Sequence, residues 1–196
     1  MKTTHAVWER ENLGVDAYEI ALDASDTPDL LRQEEARIIA AGAEYIVVKT
    51  PVDCPALLFS MQSLGYTFVE TVFHVMIRRD EYHMPASIAR FDRGLRVVER
   101  REEADRERIY ALIRRGVFKS DRVSIDPAFG RAKGGNRYAN WLRSMLARGG
   151  FLYEVLSGDK PIGFFVICRK DETTVDPVLM GMYDCLLYTS DAADDK

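Results

Sequence analysis

Two stretches in the second half of the chain hold side chains suited to gripping a small polar molecule. "FKSDRVSIDPAF" (118–129) places Asp121, Arg122 and Ser124 in an irregular segment between the apolar anchors Phe118 and Phe129, where side chains are free to meet a ligand. "NRYANWLRS" (136–144) places Arg137 and Asn140 beside Tyr138 and Trp141. An arginine can hold a phosphate, and an aromatic ring can stack on a planar group. Each has a plainer reading. Tyr138 and Trp141 also fall on the apolar stripe of their own helix, which is the preferred reading for Trp141, and Phe118 can pack beneath a cleft as well as line it. The one candidate general base is Glu154, on a strand whose alternation could equally point it to solvent.

Metal and thiol chemistry find little support. Cys54, Cys168 and Cys185 lack metal-ligand spacing, and His5, His74 and His83 are scattered. His74 lies inside a strand pattern and reads as a packed histidine, so no metal site is expected.

The 196 residues, 47% hydrophobic and 30% charged with a net charge of −4, describe a globular protein with no electrostatic footprint for nucleic acid. The N-terminus has no apolar core of signal-peptide length, and nothing approaches the ~18 apolar residues of a membrane span. A cytoplasmic location with no membrane partner is expected.

The elements that must position these residues come in two sets. "AYEIALD" (17–23) alternates like a strand, and a helix follows from a cap at Asp26 or Thr27, through Pro28, to Gly42. "AEYIVVKTP" is a second strand, "DCPALLFSMQSLG" a short helix capped by Asp53, and "YTFVETVFHVMIRR" (66–79) a long third strand. Helical crossovers between strands imply a mostly parallel sheet. After a linker over 81–93, the pattern restarts with a strand at 94–101, a helix at 102–118, the irregular stretch, and a helix from 136 to Gly149 and Gly150. Two strands around a Ser-Gly-Asp turn and a third strand reaching 184 close the set. Short connections imply an antiparallel meander, and the whole is α/β in the mixed α+β sense.

This second set resembles the N-terminal half of the GNAT superfamily of N-acetyltransferases. "FLYEVLSGDKPIGFFVI" is similar to that family's strand pair with a glycine after the turn, and "VLMGMYD" to the strand that ends at its acetyl-CoA site. "AEYIVVKTPVDCPALLFSMQSLGYTFVETVFHVMIRR" resembles the closing half of the same fold, standing first. A partial GNAT-like lobe (1–80), a linker (81–93) and the first half of a GNAT domain (94–184) resemble the layout of the TDP-fucosamine acetyltransferases.

The resemblance implies an acyltransferase that moves the acetyl group of acetyl-CoA, as co-substrate, to a small amine, with an amino-sugar nucleotide as one such acceptor. It implies cofactor contacts from the backbone of Met180, Gly181, Met182 and Tyr183. Acceptor contacts would come from Phe118, Asp121, Arg122, Ser124, Arg137, Tyr138, Asn140 and Trp141. A first lobe of this kind could serve specificity or homodimer contacts.

In the family a glycine-rich loop and a helix N-terminus follow the cofactor strand and hold the pyrophosphate. Here no glycine follows Gly181, and "CLLYTSDAAD" resembles the translation of a sequencing-library adapter. Residues 185–196 are therefore expected to be a non-native tail and 1–184 an inactive fragment of a longer enzyme. The competing expectation is a non-catalytic GNAT-like module that binds a ligand or regulates.

Overall fold

The computed structural model describes residues 1–92 and 94–183, with residues 90 and 91 described by backbone alone. The tail expected over 185–196, with Cys185, lies outside the described residues. The chain is mixed α+β and divides into two compact units, Met1–Glu70 and Thr71–Lys196.

In the first unit, β1 (Lys2–His5), β2 (Ala17–Ala21) and β3 (Tyr45–Lys49) form a sheet in the order β1-β2-β3. β2 and β3 run parallel, as a helical crossover demands, whereas β1 pairs antiparallel with β2. The helices are α1 (Trp8–Leu13), α2 (Pro28–Ala40) and α3 (Pro55–Ser63). Thr27, not Asp26, caps α2: its hydroxyl accepts from the Leu30 N–H, and Pro28 takes the first turn. Asp53 does not cap α3; the N-cap is Cys54, with no side-chain hydrogen bond. Ile20, Leu22, Leu31, Ile38, Leu57 and Met61 form the core between helices and sheet.

The strand expected over 66–79 is not formed. Tyr66 is tied down by a hydroxyl bond to Glu35 Oε1 at 2.8 Å, but from Thr67 to Arg78 the chain is neither helix nor strand. β-Propensity reports how well a side chain suits a pleated, half-buried surface, and without a neighbouring strand it forms nothing. His74 is accordingly exposed, not packed.

In the second unit the segment read as a linker contains α4 (Ala86–Asp92). β4 (Leu95–Glu99), β5 (Phe151–Ser157), β6 (Lys160–Arg169) and β7 (Val175–Met182) form a wholly antiparallel sheet in the order β4-β5-β6-β7. Between β4 and β5 come α5 (Glu103–Arg114), α6 (Arg122–Ile125) and α7 (Gly130–Ala147). α7 starts well before residue 136 and runs through Gly134 and Gly135. Glycines weaken a helix, but these two are needed here: a Cβ on Gly135 would stand 2.8 Å from the Arg114 carbonyl oxygen.

Ile109, Tyr110 and Ile113 of α5 and Ala139, Leu142 and Met145 of α7 bury against Leu152, Phe164, Val166 and Leu179 of the sheet. Truncating a fully buried residue such as Leu142 to Ala in such a core typically costs ~2–5 kcal/mol. No described helix is long and apolar enough to cross a membrane.

Candidate functional site

β7 is the last strand of its sheet among the described residues, and Pro177 within it suits an edge position. The Tyr183 N–H donates to the Ile162 carbonyl at 2.9 Å. Antiparallel pairing alternates, and Phe164 opposes Gly181 as Gly163 opposes Met182. Gly181 therefore turns its backbone groups toward β6, as Tyr183 does, while those of Met180 and Met182 face the open edge. Of the four residues whose backbone the resemblance proposes for the cofactor, two present their amides and carbonyls outward.

Gly181 matters for what lies against it. A Cβ there would meet Val117 Cγ1 at 2.5 Å, Phe164 Cε1 at 3.0 Å and Phe118 Cζ at 3.3 Å. The helix face of the strand is thus filled by Val117, Phe118 and Phe164 up to the bare α-carbon. Phe118 stacks on Tyr138 with ring centroids 4.1 Å apart and meets Phe164 edge-on at 6.3 Å. Phe164 in turn stacks on Tyr183 at 6.0 Å.

Beside this aromatic chain sits Glu154, fully buried on the inward face of β5 with Leu152 and Leu156, so it does not point to solvent. Arg108 grips it with two donors, Nη1 to Oε1 at 3.0 Å and Nη2 to Oε2 at 2.8 Å. Arg100 Nε donates to Oε2 at 2.9 Å and the Tyr183 hydroxyl to Oε1 at 2.8 Å. Asp105 lies 3.4 Å from both guanidinium groups, so two carboxylates balance two arginines.

Burial alone pushes the Glu154 carboxyl up, but the Arg108 and Tyr183 hydrogen bonds and the Arg100 contact outweigh it and hold the group below the usual carboxylate range. Burial and the hydrogen bond to Glu154 push the Tyr183 phenol well up, which keeps it protonated. Glu154 is thus a saturated anion, with no lone pair turned to a cleft where a base would need one.

The remaining candidates separate. Asp121, Arg122 and Ser124 do not stand in an open loop: all three are buried in the turn of α6. Asp121 is the N-cap, its Oδ1 accepting from the Val123 and Ser124 N–H groups at 3.0 and 3.2 Å. Asp121 Oδ2 and Ser124 Oγ have no hydrogen-bond partner among the described residues. Ser124 lies against α7 where Gly134 leaves room; a Cβ on Gly134 would fall 2.2 Å from Ser124 Oγ.

Arg137 lies over the Tyr138 ring at 5.9 Å, and Asn140 accepts from Arg143 at 3.5 Å. Trp141, 37% exposed, borders a cleft of about 400 Å³ together with Met145, Arg148, Cys168, Arg169 and the Lys170–Asp176 ion pair.

Arg100 and Arg108 were not foreseen as site residues, because "VERREEADRER" reads as a solvated charged face. The usable signal was the alternation of "FLYEVLS", which sets Glu154 on the same side as Leu152 and Leu156. A carboxylate on an inward face demands cationic partners. Among the described residues no three His, Cys, Asp or Glu side chains converge as metal ligands would. The chain matches no protein-family model, no curated protein and no solved structure.

Proposed function

We propose that the protein is an acetyl-CoA-dependent N-acetyltransferase of GNAT-like fold, acting in the cytoplasm on a small amine. The observation that carries this reading is the open edge of β7, where the backbone groups of Met180 and Met182 face outward on either side of Gly181. An exposed strand edge takes an amide-bearing chain as it would another strand, and the pantetheine arm of acetyl-CoA is such a chain. An outward N–H at this edge is also the donor that a thioester oxyanion needs as an amine attacks. The order of β4, two long helices and an antiparallel meander supports the same fold reading.

The fit is good for the pantetheine arm and poor for the pyrophosphate. No glycine follows Gly181 in the sequence, so the chain as written offers no glycine-rich cradle, and no role is given to one. Met180 and Met182 hold the donor by their backbone, Phe118 and Phe164 exclude water beneath Gly181, and Glu154 positions Tyr183 rather than accepting a proton. An amino-sugar nucleotide is a suitable acceptor, because the Trp141 cleft joins an aromatic face to Arg148 and Arg169.

A second reading, a non-catalytic module of the same fold that binds a ligand, is favoured by the saturated state of Glu154 and by the lack of another general base.

Calorimetric titration with acetyl-CoA separates these ideas from none at all. Proline at Met182 removes an outward N–H while leaving the pairing with β6 intact, so Met182→Pro is expected to weaken acetyl-CoA binding about tenfold. No heat with millimolar acetyl-CoA, or equal binding by the variant, defeats the edge-pairing reading. Binding without acetyl transfer to any amine selects the module.

A further inference from the structure

Residues 67–77, "TFVETVFHVMI", combine strong strand propensity with nothing to pair with. Phe68, Val72, Phe73, Val75, Met76 and Ile77 are 63–92% exposed. No backbone hydrogen bond of 67–77 is made among the described residues. A bare, apolar, unpaired strand former of this length without glycine or proline is a template for pairing with another chain.

The segment is complementary to itself when reversed. Antiparallel about Val72, one face sets Phe68 opposite Met76, Glu70 opposite His74 and Val72 opposite its own copy. The other face sets Val69 opposite Val75, Thr71 opposite Phe73 and Thr67 opposite Ile77. Acid meets imidazole twice, and no like charges oppose each other. A slip of one or two residues in either direction puts Glu70 against Val72, Phe73, Val75 or Met76 instead. Cross-strand pairs directly opposite one another are the unit that stabilises a ladder and selects its register.

We propose that 67–77 pairs with the same segment of a second copy of this chain, forming an antiparallel two-fold ribbon in the single register centred on Val72. Such an interface is isologous, and each half supplies both members of the Glu70–His74 pair. The inference stands on this segment alone and holds whatever reaction the second unit performs.

Sedimentation of the full 196-residue protein at about 100 µM tests the pairing and is expected to show a dimer. Glu70→Lys and His74→Glu each break both charge pairs and are expected to raise the dissociation constant about tenfold, whereas the double exchange restores it to within about threefold. The register has its own test in a background with Cys54, Cys168 and Cys185 changed to Ser. Val72→Cys is expected to form the intermolecular disulfide at least about ten times faster than Thr71→Cys or Phe73→Cys, since only position 72 faces its own copy.

The substitutions lie outside every helix and strand, so the fold is expected to survive them, and circular dichroism checks that. A monomer at that concentration, charge variants not rescued by the exchange, or equal cross-linking at all three positions overturns the proposal.

Discussion

Glu154 and Asp121 are both carboxylates buried in the second unit, and the fold treats them in opposite ways. Glu154 accepts from Arg100, Arg108 and Tyr183, so both of its oxygens are occupied. Asp121 spends one oxygen on the amides that open α6 and leaves the other buried without a partner. An ionised group without partners is costly in a core, and a buried oxygen short of a donor is stable only when a donor arrives. The first arrangement is complete, and its carboxylate has little capacity left for chemistry. The second is half complete, and in water it gains either a solvent molecule or a ligand group that donates a hydrogen bond.

Removing the charge at the saturated site has the largest expected effect. Glu154→Gln leaves Arg100 and Arg108 facing a neutral amide, which is expected to cost about 3 kcal/mol in urea unfolding at neutral pH. A loss under about 1 kcal/mol would mean that solvent, not Glu154, neutralises the arginines, and the contrast with Asp121 would collapse. The same pair of proteins carries a pH signature. Because the folded Glu154 carboxyl lies below its usual range, its contribution is fully present above the usual carboxylate pKa of about 4.5 and is lost as pH falls through the folded value. The difference between the wild type and Glu154→Gln should therefore shrink in acid, and a difference that grows there would reverse the assignment.

Smaller changes sharpen the comparison. Tyr183→Phe deletes one of the donors to Glu154 and is expected to cost about 1.5 kcal/mol, since the bond is to a charged group. Asp121→Ala removes a helix cap and should cost about 1 kcal/mol, whereas Asp121→Asn keeps the cap and should be nearly silent. Ser124→Ala removes a hydroxyl that has no partner and is expected to be neutral or slightly stabilising by thermal melting. Loss of stability there would mean that an ordered water joins Ser124 and Asp121 Oδ2.

Local signals made much of this fold legible. Thr27 and Pro28 announced α2, the Ser-Gly-Asp turn announced the β5–β6 hairpin, and short connections announced the antiparallel meander. What stayed hidden depends on partners distant in sequence. The 66–79 stretch has every intrinsic quality of a strand and lacks a neighbour. The start of α7 was masked by Gly134 and Gly135, whose small size answers to Ser124 and Arg114. The acceptor residues divided for the same reason: Phe118 and Tyr138 come together beside Gly181, while Asp121 and Ser124 are drawn beneath α7. No periodicity in "VERREEADRER" distinguishes Arg100 and Arg108 from their solvated neighbours, because their role is set by a glutamate some fifty residues away.

The two tryptophans of the chain fall one to each unit, Trp8 in α1 and Trp141 in α7, and both are partly exposed. Indole emission is therefore an optical label already divided between the halves. With Trp8 replaced by Phe, the emission maximum follows the second unit alone, and with Trp141 replaced it follows the first. A denaturant curve on each single-tryptophan protein would reveal whether the halves melt together or in succession, with no dye attached.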